Sequence, residues 1–399
     1  DDLVADIDAD HLVLGGGAPV YYRDTSRPNY LAETGSFDLE SLPDLAPDDV
    51  ESTILQILAS PNIASKRWVY EQYDTTVRTN TAIGPGPSDP AVIRIKGTPR
   101  ALALKTDCNG RWVYLNPRKG AQAAVAEAAR NVVCAGGKPV AITNCLNFGN
   151  PYKPEVYWVF KEAVTGMGEA CEAFGTPVTG GNVSFYNESP EGAVFPTPTI
   201  GMLGLIDDAD RDATTIDLKS VGDDVWLLTP ASWRHARSIT GSEYLAVRHS
   251  ATAGDAPYLD LEEEKVVQET MLALIRAGLV QSAHDVSDGG LATCLAEKVL
   301  TSRQGGADID LEVPEAGRLD AILFGEDHSR IVFTTSSEDS AAVLRIAKGC
   351  AGVQLTRIGA TTTAERLRIR LDGQVLVHCS SEKLLGTYEG SIPSRMETL

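Results

Sequence analysis

Apolar and polar residues alternate with strand-like spacing in some stretches of the 399-residue chain and with helix-like spacing in others. Residues 91–96 and 101–107 predict two strands that a Gly-Thr-Pro turn joins. The alanine-rich stretch 120–135 predicts a helix, and Gly136 and Gly137 predict where it ends. Pro154 near its start and Gly175 past its end bound a second helix over 154–174. Further strands are predicted at 139–146, 176–186 and 197–206.

A second alternation of strands and helices begins near residue 223. Strands are predicted from Asp224, over 280–286 and 328–335, and on both sides of an Asp-Gly turn within 366–379. Helices are predicted at 259–278, 289–302 and 338–349. The fold class is therefore α/β (α+β), with two units joined near 210–222.

The chain before residue 91 has a different pattern. Residues 1–50, which are rich in glycine, proline and acidic residues, predict an extended linker with one short strand at 12–14. Residues 51–74 predict a helix, and 80–90 predict a Gly/Pro loop. The expected divisions are a linker at 1–50, a leading helix and loop at 51–90, a first domain at 91–212 and a second at 213–399.

Charge and composition narrow the functional classes. The net charge of −20 argues against non-specific binding to nucleic acid or to anionic membranes. No apolar run reaches the ~18 residues of a membrane span, and no secretory signal is visible. The seven cysteines form no C-x-x-C pair, which favours reduced thiols in a cytoplasmic protein and makes a zinc site improbable.

Three motifs place small and polar residues where a predicted strand meets a helix or loop, which is where ligands bind in α/β units. In Thr179-Gly-Gly-Asn-Val-Ser184 the glycines would allow the backbone to approach a phosphate, while Asn182 offers an oxygen to a metal. The alternative is a plain glycine turn. In Asn144-Cys-Leu-Asn-Phe-Gly-Asn150 the amides indicate either ligand contacts or turn chemistry.

The third motif is His284-Asp-Val-Ser-Asp-Gly-Gly290. Asp285 could ligate Mg²⁺, Ser287 or Asp288 could cap the following helix, and Gly289 and Gly290 could present N–H groups to an anion. Equally, the motif is typical of a helix cap whose glycines serve tight packing.

Five motifs in order along the chain carry a resemblance to a known family. They are Lys66-Arg-Trp-Val-Tyr with Gln72-Tyr-Asp74, Tyr114-Leu-Asn-Pro117, Leu146-Asn-Phe-Gly-Asn-Pro151, Thr179-Gly-Gly-Asn-Val-Ser184 and His284-Asp-Val-Ser-Asp-Gly-Gly290. Together they resemble the second half of the phosphoribosylformylglycinamidine synthases of purine biosynthesis, over about residues 50–395.

The resemblance implies an aminoimidazole-ribonucleotide-synthetase-like fold with an A domain followed by a B domain. It implies an ATP-dependent ligase that converts formylglycinamide ribonucleotide and glutamine-derived ammonia to the amidine, with ATP and Mg²⁺ as cofactors. No glutaminase motif follows, so the chain resembles the small form of the family. That form works with the N-terminal half of the enzyme, a separate glutaminase subunit and a small bridging subunit.

The resemblance also implies roles for individual residues. Asn144 and Gly181 would contact ATP, Asn182 would bind Mg²⁺ and Ser184 would contact the ribonucleotide. The family commonly has aspartate at the position of Asn144. The catalytic histidines belong to the first half, so this half is expected to have no catalytic residue and to be inactive alone.

A second, auxiliary nucleotide and magnesium site is implied as well. Its candidate residues are Asp107, Asn116, Asp285, Ser287, Asp288, Gly289 and Gly290. Asn116 stands where the family has a metal-binding aspartate. Lys96 is a further candidate neighbour, or a solvated partner of Asp107.

Two other functions remain open. The chain could be a stand-alone, homodimeric ATP-dependent enzyme of the same superfamily, or a non-catalytic nucleotide-binding scaffold. If the chain is the second half of the enzyme, its isolated first domain would expose the apolar face that normally packs on the first half, which predicts a two-fold homodimer of the isolated chain.

Overall fold

The computed structural model describes residues 3–8, 21–312 and 317–397. Its helices are α1 (Tyr30–Gly35), α2 (Val50–Leu58), α3 (Arg67–Tyr70), α4 (Gly110–Leu115), α5 (Pro117–Cys134), α6 (Pro154–Phe174), α7 (Ala209–Asp212), α8 (Glu243–His249), α9 (Leu261–Arg276), α10 (Gly290–Leu300), α11 (Leu319–Phe324), α12 (Ser340–Gly349) and α13 (Ser381–Glu397).

The strands pair into two large sheets and one small hairpin. They are β1 (Thr81–Ile83), β2 (Ala91–Arg94), β3 (Ala101–Asp107), β4 (Lys138–Asn147), β5 (Val178–Ser184), β6 (Glu188–Ser189), β7 (Gly192–Ala193), β8 (Thr197–Ile206), β9 (Asp224–Pro230), β10 (Ser282–Asp285), β11 (Gly306–Leu311), β12 (Ile331–Thr335), β13 (Val353–Thr362), β14 (Arg366–Leu371) and β15 (Gln374–Ser380).

The first unit is a six-stranded sheet in the order β1-β2-β3-β8-β4-β5, with α5 and α6 packed on one face. β4 and β5 run parallel, with α6 as their crossover, and the other neighbouring strands are antiparallel. In β8 every second residue is buried, so one face of the sheet meets the helices and the other is left partly exposed. β5, at the edge of the sheet, is exposed over most of its length.

The second unit is a seven-stranded mixed sheet in the order β10-β12-β9-β13-β11-β14-β15. Helices α2, α10, α11 and α13 cover one face, and α9 and α12 cover the other. All seven residues of β9 are buried, because helices cover both faces of this central strand. The two units meet where α5 packs against α9, with Val133 and Cys134 in the same apolar cluster as Met271.

Local chemistry explains where the main helices begin and end. Asn116 caps α5, since its side-chain oxygen accepts the N–H of Lys119. Asp260 caps α9 in the same way, through the N–H groups of Glu262 and Glu263. Gly175, at φ 66°, ends α6 in the left-handed conformation that glycine favours.

Two predicted features of the N-terminal region differ from the structure. The helix predicted over 51–74 ends at Leu58, because Pro61 disfavours a helical conformation for the residue before it and has no N–H to donate. Residues 30–50, predicted as linker, form α1 and short 3₁₀ turns, and Leu31, Leu45 and Val50 are buried against the core. The strand predicted at 12–14 lies outside the described residues.

Among the described residues, no helix is both long enough and apolar enough to cross a membrane.

Candidate functional site

The residues that the sequence singled out fall into two separate groups in the structure. Asn144, Gly181, Asn182 and Ser184 form an edge group on β4 and β5, where Asn144 is in register with Gly181. The side chain of Asn144 points toward α6, since its Nδ2 lies 3.5 Å from the sulfur of Met167. Because side chains alternate along a strand, Asn182 and Ser184 face the side without helices.

The backbone of the edge group requires glycine at one position. Gly181 has φ +152°, and a Cβ added there would lie 2.1 Å from Oδ1 of Asn144 and 2.5 Å from its main-chain oxygen. At the preceding Gly180, a Cβ would meet nothing within 4 Å. Gly181 therefore allows β5 to approach Asn144 closely and leaves its own backbone accessible, as a phosphate-binding strand would need.

The second group lies between the two units and is an acidic cluster, made up of Asp89, Asp107, Glu127, Asp285 and Asp288. Asp107 ends β3, Glu127 lies on α5, Asp285 ends β10 and Asp89 belongs to the Gly/Pro loop. Asp89 accepts the N–H of Asp285 at 3.3 Å through Oδ2.

Asn131 and Arg130, both on α5, tie the cluster together. The amide nitrogen of Asn131 lies 3.5 Å from a carboxylate oxygen of Asp107 and 3.5 Å from one of Asp285. Arg130, which is fully buried, donates to Glu264 of α9 at 2.9 Å and lies 3.3 Å from the carboxylate of Asp285. The cluster thus connects the first unit to the second.

His284 supplies a further positive charge beside the cluster. Its Nδ1 lies 2.7 Å from a carboxylate oxygen of Asp89, and its Nε2 lies 3.0 Å from one of Glu297. Burial disfavours the charged imidazole, but the Asp89 carboxylate outweighs that effect and raises the pKa of His284 well above its usual value. His284 is therefore a counter-charge for Asp89.

Carboxyl groups nevertheless outnumber cations in the cluster. Burial, together with the charges of Asp288 and Asp285, raises the pKa of Asp107 to about 7, although Lys105 opposes this rise. Burial and the same neighbours raise the pKa of Glu127 well above its usual value, and its Oε2 atom has no hydrogen-bond partner. Oε2 of Glu127 lies 3.8 Å from the Arg130 guanidinium, and a buried site with such an excess of negative charge fits a hard divalent cation.

Ligand atoms of Asp89, His284 and Asp285 lie within 4.8 Å of one another, and His284 already pairs with Asp89, which leaves the two carboxylates as the oxygen donors for such a cation. This donor set suits Mg²⁺, which binds few carboxylates and completes its shell with water or phosphate. A cavity of about 730 Å³ opens at Ser88, next to Asp89, and is also lined by Lys66, Tyr70 and Tyr388.

The end of the third motif has a structural role. The N–H of Gly289 donates to Glu326 at 2.6 Å, and that of Gly290 donates to the main-chain oxygen of Ser287 at 2.9 Å. A Cβ on Gly290 would lie 2.6 Å from the backbone of Phe324. Glu326 therefore occupies the anion position at the start of α10, and the glycines permit close packing.

Asn116 and Lys96 form their hydrogen bonds outside the acidic cluster. Besides capping α5, Asn116 donates to Asp255 at 2.8 Å, and it contacts no member of the acidic cluster. Lys96 donates to the main-chain oxygen of Arg78 at 2.5 Å. Of the predicted auxiliary residues, the structure brings together Asp107, Asp285 and Asp288, and Asp288 accepts a hydrogen bond from Asn109 at 2.8 Å.

Sequence reasoning missed Asp89, Glu127, Arg130 and Asn131. A signal was present for two of them, because Glu127 and Asn131 are four residues apart and so share one face of α5. Asp89 lies in the predicted Gly/Pro loop 80–90, whose sequence indicates only a connection between elements.

Comparison with known proteins identifies relatives of both units. The family model described as AIR synthase related protein, N-terminal domain, matches residues 87–206, and the model of the corresponding C-terminal domain matches residues 220–372. Together these two models cover most of the chain.

Curated relatives match nearly the whole chain. Phosphoribosylformylglycinamidine synthase subunit PurL of Salinibacter ruber is 58% identical over 98% of this chain and 52% of the relative. The subunit of the same name from Chlorobium luteolum is 47% identical over 99% of this chain and 51% of the relative. The chain thus spans about half the length of these relatives.

A solved structure shares the fold. T. maritima PurL complexed with FGAR superimposes with a TM-score of 0.68 at 19% identity, and the match covers 90% of this chain and 56% of that one. T. maritima PurL complexed with ATP gives a TM-score of 0.65 over 85% of this chain and 52% of that one.

Proposed function

Because the chain belongs to the AIR synthase related family and is homologous to PurL subunits, we propose that it is the C-terminal half of a small-form phosphoribosylformylglycinamidine synthase. The reaction is the ATP-dependent conversion of formylglycinamide ribonucleotide to the amidine in purine biosynthesis, with ammonia from glutamine. The observation that carries the proposal is the 58% identity along nearly the whole chain to half of a PurL subunit.

In this proposal the edge group contributes to an active site that the N-terminal half completes. Asn144 and Gly181 contact ATP, Asn182 helps to hold Mg²⁺ and Ser184 contacts the ribonucleotide. The exposure of β5 supports this assignment, because ligands and a partner domain can both reach it. The chain has no catalytic residue of its own and works in the cytoplasm with a glutaminase subunit and a small bridging subunit.

A second element of the proposal is an auxiliary magnesium and nucleotide site in the acidic cluster. Asp89 and Asp285 would hold Mg²⁺, which would neutralise the excess carboxylate charge of the cluster and the phosphates of a nucleotide. The cavity beside Asp89 supports nucleotide binding, since Lys66 and two tyrosine rings line it. In this assignment Asn116, Gly289 and Gly290 are no longer ligands of the metal or of the nucleotide.

The activity of the chain alone tests the main proposal. We expect no detectable ADP formation from ATP, formylglycinamide ribonucleotide and ammonium chloride with this chain. Activity should appear when the N-terminal half of a close PurL relative is added. Substantial turnover by the chain alone would contradict the proposal and favour the stand-alone enzyme.

Nucleotide binding tests the auxiliary site separately. With Mg²⁺ and ADP present, we expect the melting temperature of the wild-type chain to rise, and Asp285→Asn to lose at least nine-tenths of this rise, because it removes a carboxylate ligand. The control is Asp310→Asn, since Asp310 is half-exposed and pairs with Arg370 on the second sheet. An undiminished rise in Asp285→Asn would remove Asp285 from the site.

The open face of the first sheet leads to a prediction about assembly. Leu104 lies on that face of β3, opposite the alternate residues that are buried under the helices, and it is 38% exposed. Without the N-terminal half, we expect the chain to form a two-fold dimer through this face.

Light scattering at micromolar concentration checks the dimer. Leu104→Glu should convert it to a monomer, because a charge would be buried in the interface. Leu344→Glu, at a leucine on α12 that is 47% exposed, should leave the dimer intact. A monomeric wild-type chain would show that this face does not self-associate.

A further inference from the structure

A cavity of about 360 Å³ lies in the first unit, beyond the carboxyl end of β4, and shares no lining residue with the cavity beside Asp89. We call it the aromatic pocket. Its principal lining residues are Tyr30, Tyr114, Phe148, Glu155, Val159 and Phe195. Its volume lies within the range of about 300–1,000 Å³ that is typical of small-molecule sites.

Three rings form one side of the aromatic pocket. The rings of Tyr30 and Tyr114 stack with their centroids 4.3 Å apart and their planes within 4° of parallel. Phe195 continues the row, with its centroid 4.9 Å from that of Tyr114. Phe195 is 44% exposed, whereas Phe148 and Val159 are buried. Because the plane of Phe195 is tilted by 37° from that of Tyr114, the rings do not form one flat surface, and the ring that remains open to a ligand is the exposed Phe195 at the end of the row.

The charge at the mouth of the aromatic pocket is negative. Glu155 lies in the first turn of α6, and its side chain forms no ion pair or hydrogen bond with any residue in the described part of the chain. Burial, and to a smaller extent Tyr114 and Glu155, raise the pKa of the Tyr30 phenol. The nearby Lys153 is already paired with Glu188 at 3.0 Å.

These features exclude one class of ligand and favour another. A phosphate or carboxylate near Glu155 would be repelled, and Glu155 already supplies the negative charge that the N-terminus of α6 attracts. A flat cation would stack on the exposed ring of Phe195 and interact favourably with both the ring face and the carboxylate.

From this geometry, we propose that the aromatic pocket binds a small flat aromatic ligand that carries a cationic, nitrogen-rich group. The ring lies against the exposed Phe195, and the cationic group points toward Glu155. This function goes beyond the proposed ligase, because a ribonucleotide and ATP are both anionic and bind at the other two groups of residues.

Two nearly isosteric probes test the proposal on the 399-residue chain. Benzamidine carries an amidinium group on a benzene ring, and benzoate carries a carboxylate on the same ring. We expect calorimetry and chemical-shift titration to show saturable binding of benzamidine, with benzoate at least tenfold weaker.

Variants then assign the binding to the pocket. Glu155→Gln should reduce the affinity for benzamidine at least fivefold and remove the preference over benzoate. Glu172→Gln, an exposed glutamate at the other end of α6, should change neither. Phe195→Ala should weaken the binding of benzamidine. Because Phe195 is exposed, this substitution should not disturb folding.

The proposal is overturned if millimolar benzamidine does not bind, if both probes bind equally, or if Glu155→Gln binds benzamidine like the wild type. None of these outcomes affects the ADP-formation assay, so this proposal and that of the ligase fail independently.

Discussion

Arg130→Met should lower the free energy of unfolding by about 3–5 kcal/mol. Arg130 is fully buried and bridges the two units, since it donates to Glu264 on α9 and lies beside Asp285 at the end of β10. Methionine keeps much of the side-chain volume but leaves these carboxylates buried without their cation. Urea unfolding in magnesium-free buffer measures the loss.

Arg118→Met is the matched control for this effect. Arg118 also forms an ion pair across two elements, with Glu169 of α6, but its side chain is 48% exposed. Water screens such a pair, so its loss should cost no more than about 1 kcal/mol. If both variants lose the same free energy of unfolding, the buried ion pairs of Arg130 do not hold the two units together.

Gly181→Ala should destabilise the first unit by about 3 kcal/mol and abolish any ligand binding at the edge group. A methyl group there would overlap both the side chain and the main-chain oxygen of Asn144, and φ +152° is strained for alanine. The main-chain oxygen cannot move freely, because Asn144 lies within β4 between two neighbouring strands. Thermal unfolding and nucleotide titration in the presence of the N-terminal half give the two readouts.

The neighbouring glycine provides the control. Gly180→Ala adds the same methyl group to the same edge strand, but this methyl group would meet nothing within 4 Å. Its effect on stability should stay within about 0.5 kcal/mol. If both alanine variants unfold like the wild type, the close approach of β5 to Asn144 is not required.

The two groups of site residues differ in how they depend on the rest of the molecule. The edge group comes from two neighbouring parallel strands joined by a single crossover helix, so its geometry is set within the first unit. The acidic cluster needs the loop before β2, the helix α5 and the end of β10 to come together. We therefore expect Arg130→Met to disturb the cluster while leaving the edge group in place.

Much of the secondary structure follows from local patterns in the sequence. The helix predicted over 154–174 has those bounds in the structure, because a proline at its start and a glycine after its end act within the element itself. The strands predicted around the Asp372–Gly373 turn form β14 and β15 for a similar reason. The five ordered motifs also led to the prediction of two aminoimidazole-ribonucleotide-synthetase-like domains, which the two family models confirm.

Other elements carry weak local signals. β13 lies in the middle of the second sheet, yet the alternation of apolar and polar residues that begins at Val353 breaks at Arg357 and Gly359. Residues 30–50 are polar and rich in proline, and only the core of the second unit makes Leu45 and Val50 buried positions. In these stretches, tertiary packing outweighs local propensity.

The amino-acid sequence thus determined the α/β class, most of the helices and strands and the membership in the family, because spacing, caps and turn residues act over a few neighbouring positions. Only the tertiary structure decided which polar residues form a site. Asp89, Glu127 and Asp285 are up to 196 residues apart in sequence, and their carboxyl groups form one acidic cluster only when folding buries them together. Asn116, whose motif suggested a ligand, instead caps a helix, since the nearest donors and acceptors in space are those of α5 and Asp255.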